Sequence, residues 1–350
     1  MKYKLYHHLL FVLLLSSCYK YTNKNQIPSV EFSNIIDLKD NIYRKEIVAN
    51  IPSEVELIDS ALFLFRPGGV VVKIINANNG ADFGYFGSFG NGPGEFHSPH
   101  PTGYDKSDSS HYISDITSKK LTINKVSTNN DTIQFKLIKE LHYPKSEISF
   151  GFMHRLENGF FIANTSSGSK KLLILLDKDL NIVHQFCDYP LNIEVDNPFR
   201  LYGHIASFGN KFVFAVLNIG YIVCYGISQK NEIKKEWEYL LSKPYYKTTP
   251  KFKWDYNLNA DGFYDVKMTQ NYVVCLYSGK IFNIDRTTLP ETILVFNHNG
   301  TPKVKIKLNS KCGRFAISED NRFIYASCFD GSYEIIKYDT GNILNKIFYK

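Results

Sequence analysis

The chain has 350 residues, with 41 basic against 34 acidic side chains and a formal net charge of +7. Charge this mild and this dispersed excludes a nucleic-acid interface, which needs Lys and Arg clustered on one face. With 26 Phe, 24 Tyr, recurring Val, Ile and Thr runs and almost no helical periodicity, the composition reads as all-β.

The chain opens on Lys2 and Lys4, continues through the apolar run Leu9 to Leu15 and closes this segment with Leu15-Ser16-Ser17-Cys18. A charged start, a short apolar stretch and a small-residue cleavage site make a secretory signal. The cysteine at its end makes it a lipobox of the bacterial lipoprotein type. The apolar run falls short of the roughly 20 residues that span a bilayer, and no later stretch reaches that length. Residues 1–17 are therefore expected to be removed, with lipid carried on Cys18 and the folded body held outside the cytoplasm. Loss of the two lysines leaves 39 basic against 34 acidic residues, a charge of +5. The residues after Cys18, Tyr19 to Lys24, lack the acidic cluster that marks surface export in some envelope lipoproteins. That points to an outer-membrane anchor facing the periplasm.

Residues 18–42 are expected to form a tether and an N-terminal strand. The polar start Tyr19 to Pro28 suits a linker. Whether Val30 to Leu38 pairs with the last blade to help close a ring is left open by the sequence. From 43 to 350 the chain repeats at about fifty residues, a period typical of propellers and solenoids. A glycine opens a strand at Gly103, Gly151, Gly203, Gly262 and Gly313, at intervals of 48, 52, 59 and 51 residues. A polar turn then precedes an aromatic-aliphatic strand, as in Asn158 to Ala163 and Asn321 to Ala326. A hairpin turn ends the next strand, as in Ile75 to Gly80, Phe296 to Gly300 and Tyr338 to Gly341. Asn, Asp and Gly suit these turns because tight hairpins need positive φ.

Six copies of this unit predict six four-stranded antiparallel blades, an all-β six-bladed propeller. The second strands are expected near Leu62 to Phe65, Tyr112 to Ser114, Phe160 to Ala163, Phe212 to Val216, Tyr272 to Leu276 and Phe323 to Ala326. The first unit lacks the opening glycine and starts near Pro52 to Val55. The fifth carries insertions near Trp237 to Asp261 and Tyr277 to Glu291. Once Cys18 is lipidated, Cys187, Cys224, Cys275, Cys312 and Cys328 remain. An odd number allows at most two disulfides, and their apolar surroundings make core thiols the default reading.

One segment is more specific: Phe86-Gly87-Ser88-Phe89-Gly90-Asn91-Gly92-Pro93-Gly94-Glu95-Phe96-His97-Ser98-Pro99. It resembles the Gly-x-Gly-Pro-Gly-Glu-Phe-x-x-Pro signature of NHL-type repeats and the same segment in TolB-like six-bladed propeller lipoproteins of Gram-negative envelopes. The resemblance covers about residues 43 to 350, although the other units lack Gly-Pro-Gly. It implies a scaffold whose members mostly serve as binding or interaction proteins. Physically, Gly90, Gly92 and Gly94 can visit backbone regions closed to other residues, and Pro93 stiffens the turn. That suits a connection between blades better than a phosphate cradle, since no helix or P-loop lysine follows.

No nucleophile elbow, His-Glu-x-x-His or Cys-x-x-Cys motif is present. His97 and His100 share a ligand-like spacing without visible further ligands. Asp255, Asp261 and Asp265 near Trp254 and Tyr256 offer a calcium or sugar site, against the default reading of a solvated insertion. Propeller topology gathers on one face the loops entering each inner strand and those joining second and third strands. That places Arg66, His97, His100, Arg200, Tyr202, His204, Trp254, Asp255, Tyr256 and Arg314 around a channel mouth, a mixture suited to a protein, peptide or glycan. The inner-strand starts Tyr104, Phe152, His204, Phe263 and Arg314 are mostly aromatic or basic. The expectation is a monomeric binding or interaction module with no cofactor and no metal. The rival is a metal-dependent propeller enzyme, lactonase-like or polysaccharide-cleaving, because fold alone does not separate the two.

Overall fold

A computed structural model describes residues 27–38, 41–46, 50–129, 132–191, 201–247, 253–255, 257–281 and 289–348. Six blades of four antiparallel strands each are arranged as a propeller, and the sheet of blade 5 gains a fifth, parallel strand at its outer edge. Blade 1 runs Glu54–Ile58, Ala61–Phe65, Val72–Asn76 and Asp82–Phe86. Blade 2 follows with Pro99–Asp105, Ser110–Asp115, Lys120–Asn129 and Thr132–His142, and blade 3 with Ser149–Arg155, Phe161–Ser167, Leu173–Leu176 and Ile182–Phe186. Blade 4 is Gly203–Phe208, Lys211–Val216, Tyr221–Ile227 and Ile233–Leu240, and blade 5 is Phe263–Met268, Tyr272–Tyr277, Thr292–Asn297 and Pro302–Leu308. Blade 6 takes Lys311–Ile317, Phe323–Phe329 and Tyr333–Asp339 from the end of the chain and its outer strand, Asn41–Glu46, from the beginning. The second strand of each blade falls where the repeat pattern put it. The first insertion starts later than the sequence suggested, because Trp237 belongs to the outer strand of blade 4.

A twisted sheet with apolar residues on both faces must be covered on both faces, and the ring does this. Six hydrophobic clusters each fill the gap between two adjacent blades, from Phe63, Phe65 and Ile113 between blades 1 and 2 to Val55, Leu64 and Tyr325 between blades 6 and 1. The inner strands follow one another around the axis and the last meets the first. At that seam the Tyr43 hydroxyl and Lys337 Nζ, both of blade 6, donate to the Ala77 carbonyl of blade 1 at 3.1 and 3.2 Å. The C-terminal helix Gly341–Phe348 packs Leu344 into the cluster between blades 5 and 6, where its carbonyl accepts the Tyr272 hydroxyl at 2.8 Å.

The N-terminal segment forms a belt around three blades. The Leu240 amide of blade 4 donates to the Pro28 carbonyl at 2.9 Å, and the Phe32 ring meets Phe296 of blade 5 at 5.1 Å. Ile35–Leu38 then pairs in parallel with Pro302–Leu308 on the outer edge of blade 5. The strand that closes the last blade is thus Asn41–Glu46, while the Val30 to Leu38 stretch lies along blades 4 and 5. Both edges would otherwise expose unpaired backbone.

The opening glycines have a steric purpose near the axis. A Cβ on Gly262 would stand 1.8 Å from the Ile219 carbonyl oxygen, and one on Gly203 would stand 2.3 Å from that of Ala215. The loop at 86–98 is likewise structural. Ser88–Phe89 pairs in parallel with Glu95–Phe96, and the Glu95 carboxylate accepts the Gly92 amide at 2.7 Å. Lys120 Nζ of blade 2 donates to the Gly92 carbonyl at 3.1 Å and to Glu140 at 2.8 Å. Gly94 has φ +71° and its amide donates to Glu140 at 3.1 Å. Gly94→Val is therefore expected to lower stability by about 1–3 kcal/mol, read as a shift in urea midpoint. Wild-type stability with altered ligand binding would make the loop a binding element instead.

Cys312 and Cys328 form a disulfide between the first two strands of blade 6, with Cα atoms 3.8 Å apart. This corrects the reading of both as core thiols. Cys187, Cys224 and Cys275 are buried free thiols. Among the described residues no helix is long and apolar enough to cross a membrane.

Candidate functional site

All six inner strands line a narrow axial cavity of about 210 Å³. Its polar residues come mainly from alternate positions: Glu54 and Glu56, His100 and Thr102, His154, His204, Asp265 and Lys267. Arg314 reaches in from blade 6, with Nε 3.5 Å from Glu54 Oε1. It is anchored by hydrogen bonds from Nε to the Ser53 carbonyl at 2.7 Å and from Nη1 to the Tyr264 and Gly313 carbonyls at 2.9 and 2.8 Å. Lys267 Nζ bonds Asp265 Oδ1 at 3.0 Å, while Asp265 also accepts the Val266 amide at 2.8 Å and the Phe315 amide at 3.1 Å. Two carboxylates and two cations thus share the centre of the ring. To one side, Phe152 packs edge-on to His100 at 4.6 Å and stacks on His204 at 6.1 Å.

Burial sets the protonation of this layer. It pushes the Glu54 carboxyl above the usual carboxylate range, opposed by Arg314. Burial and the Arg314 charge lower His100 to about 4, and burial and Lys267 lower His154 to about 4. His204 is driven well below its ordinary value by burial and Arg314, so it stays neutral. Burial alone would lower Lys267, but Asp265 and Glu54 outweigh it and raise the ammonium's pKa. His111, fully buried on the second strand of blade 2, bonds Glu56 through Nε2 at 2.7 Å.

Glu54, His204 and Asp265 offer three ligand atoms within 4.8 Å of one another, from blades 1, 4 and 5. The chemistry of this set is unfavourable to a divalent ion. Asp265 already accepts two amides and Lys267, and Arg314 stands beside Glu54, so two cations balance the two carboxyls before an ion arrives.

Above the channel, a second cavity of about 250 Å³ is lined by Leu217, Asn218, Trp254, Asn259, Asp261, Tyr264 and Arg314. Arg314 is shared with the channel cluster. The Tyr264 hydroxyl donates to Asp261 Oδ2 at 3.0 Å, and burial raises the Asp261 pKa. The adjoining rim carries Tyr202, 42% exposed, whose amide donates to Asn218 Oδ1 at 3.0 Å.

The residues expected at the mouth divide into several groups. Trp254 and Arg314 line the upper cavity, but Trp254 is buried in the cluster between blades 3 and 4 instead of presenting a free face. His100 and His204 sit inside the channel. Arg66 is exposed on the loop after the second strand of blade 1, with its charge acting on His100. His97 Nε2 pairs with Asn91 at 2.8 Å and His100 Nε2 lies 3.4 Å from the Ser98 hydroxyl, so the two histidines have separate partners. Asp255 accepts the Asn257 amide at 3.1 Å in a turn, while Asp261 and Asp265 lie in different cavities. Arg200 and Tyr256 fall outside the described residues.

Tyr104 and Phe263 do not face the channel. They join the clusters between blades, and His100 with Thr102, and Asp265 with Lys267, face it instead. Register shifts opposite Gly103 and between Phe263 and Asp265 turn the strands by one position. The signal that could have found the channel layer was polar residues at period two, such as Glu54/Glu56 and Asp265/Lys267, inside otherwise apolar strands.

No protein-family model and no curated protein matches the chain. Solved structures match in fold. One is a Bacteroides fragilis protein described as exported, at 14% identity and TM-score 0.55, covering 87% of this chain and 99% of that one. Another is a duf4221 family member from Bacteroides vulgatus, at 9% identity and TM-score 0.57, covering 85% and 96%. A third is the Cps50 (Swd1) β-propeller domain of Myceliophteria thermophila, at 9% identity and TM-score 0.50, covering 85% and 99%. At these identities the likeness establishes the propeller and nothing about activity.

Proposed function

We propose that this protein is a lipid-anchored, extracytoplasmic propeller of the TolB-like or NHL-like kind that binds a ligand at the channel mouth. The observation that carries the reading is the upper cavity. Asn218, Asp261, Tyr264 and Arg314 converge there beside Trp254, over a channel whose own charges are already paired. Such a site offers fixed hydrogen-bonding groups on a rigid ring, at little ordering cost to binding. The partner is a protein, peptide or glycan, and the scaffold acts as a monomer without a cofactor. The Cys312–Cys328 disulfide supports an oxidising compartment. The lipobox at Cys18 supports an outer-membrane anchor facing the periplasm.

Screening the full chain by glycan array and pull-down, then titrating a hit, tests the site. Tyr202→Ala and Asp261→Ala are expected to weaken binding about tenfold each, roughly 1.4 kcal/mol. Unchanged affinity in both would move the site elsewhere. Trp254→Ala is a poor probe, because a buried indole also supports the fold. For the anchor, Cys18→Ala is expected to leave unprocessed precursor without lipid label. Normal processing of that variant would make the signal an ordinary one.

The enzyme reading draws on the Glu54, His204 and Asp265 cluster. Metal analysis of the purified protein separates the two: a stoichiometric ion lost in Glu54→Gln would replace the binding reading.

A further inference from the structure

The loop between blades 4 and 5, residues 241–262, has a surface the ligand cavity does not explain. Its short hairpin pairs Tyr246–Lys247 with Lys253–Trp254. Asn259, buried to 4% exposure, clamps the hairpin to the turn that follows. Its Oδ1 accepts the Tyr245 amide at 2.8 Å, and its Nδ2 donates to the Tyr245 and Asp255 carbonyls at 2.8 and 2.6 Å. This clamp ties the backbone of Tyr245 to the turn that carries Leu258, and both side chains are about half exposed, at 53% and 52%. An ordered support under two exposed large apolar side chains is unlike a solvated loop. Lys243 and Lys247 are exposed on the same segment.

The path of the chain identifies the occupant. The Pro28 carbonyl is bonded to the Leu240 amide, immediately before the insertion begins, and Ile27 packs on the same cluster as Trp254 and Tyr246. The chain therefore meets the ring at the end of the outer strand of blade 4, where the insertion begins. From Cys18 to residue 26 there are nine residues, which at full extension reach about 30 Å. A lipid on Cys18 would keep this edge of the ring close to a bilayer. Aromatic and aliphatic tips flanked by lysines are the chemistry that enters an anionic lipid interface.

We infer that the described edge of this insertion is a membrane-contact element, with Tyr245 and Leu258 entering the headgroup region and Lys243 and Lys247 meeting anionic lipid. The inference rests on the anchored reading above. It tilts the ring so that the edge at blades 4 and 5 meets the bilayer and the opposite side of the mouth stays open.

The test places an environment-sensitive fluorophore on Tyr245→Cys, Leu258→Cys or Asn299→Cys in the full lipidated chain. Asn299 is exposed on a hairpin at the far end of blade 5. The chain is incorporated into vesicles of phosphatidylethanolamine and phosphatidylglycerol. A several-fold rise in emission with a blue shift is expected at 245 and 258, and none at 299. Replacing phosphatidylglycerol by phosphatidylcholine should reduce the response. If the protein floats with the vesicles while labels at 245 and 258 stay as water-exposed as that at 299, the contact element is wrong and the anchor stands. Should the wild-type protein fail to float, the anchor is wrong. A vesicle response at 245 and 258 in that unanchored protein would then still support the surface, and no response would overturn both. Burial of the two labels by added envelope protein, without lipid, would also overturn it.

Discussion

At about pH 8, Arg314→Met is expected to destabilise the propeller by about 3–5 kcal/mol, because it takes the nearest cation from Glu54, a buried carboxyl whose pKa is already raised to about 7. Glu54 is 7% exposed and Arg314 Nε is 3.5 Å from it. The same substitution removes the donors to three carbonyls, of which those of Ser53 and Tyr264 tie blade 6 to blades 1 and 5 and that of Gly313 lies on Arg314's own strand. Two effects therefore add: an uncompensated charge and a loosened seam. They can be separated by adding Glu54→Gln to the same chain. That should recover the charge contribution while the carbonyls remain unpaired, leaving a deficit of about 1–2 kcal/mol. Urea midpoints of the two single variants and the double variant measure the coupling. A loss below about 1 kcal/mol for Arg314→Met at that pH would show that Glu54 is still protonated or is solvated there, and that the centre of the ring needs no counter-charge.

The second large effect is acid lability below the ordinary histidine range. His100 and His154 are lowered from 6.5 to about 4, and His204 falls well below 6.5. Between pH 6.5 and 4 the unfolded chain binds protons that the folded chain refuses, so acidification favours unfolding. The stability these residues contribute is present above pH 6.5 and lost as pH falls toward 4. At pH 5 each is worth about 2 kcal/mol at most. Glu54 acts in the opposite sense. Its folded pKa is raised, so the folded chain holds a proton above pH 4.5 that the unfolded chain has released, and lowering the pH relieves it. The three histidines outweigh the raised carboxyls of Glu54 and Asp261, for a net loss of a few kcal/mol between pH 7 and 5. Denaturation curves across that range should show it, and His204→Gln should flatten the slope. A stability that stays level or rises down to pH 5 would mean that these rings are hydrated or already charged.

Much of the architecture was legible because the repeat is local. Pairs such as Asn158-Gly159, with Gly159 at φ +84°, and the Asn297 to Gly300 turn, with Gly300 at φ +81°, mark hairpins wherever they occur. The apolar strands between them, such as Phe212 to Val216, fall on the same ring position in each blade. A steric rule on single residues and a strand-length period are both written in the chain itself. Blade number and second-strand positions followed from them.

The site was less legible, since which side chain faces the axis depends on register, and one-residue shifts reverse it. The bulge after Phe263 turns Asp265 and Lys267 inward and sends Phe263 between blades. Trp254 shows the same limit from outside: in sequence it is an aromatic in a polar insertion, yet the hairpin with Tyr246 folds it into the core. The Cys312–Cys328 bond needed the pairing of two neighbouring strands, and the closing strand Asn41–Glu46 needed the opposite end of the chain. The sheets, their number and their turns could be read from the chain, because they depend on each residue's conformational range and on its near neighbours. The axial charge cluster, the mouth cavity and the path of the N-terminal belt could not, because they arise where residues from different blades meet across the ring.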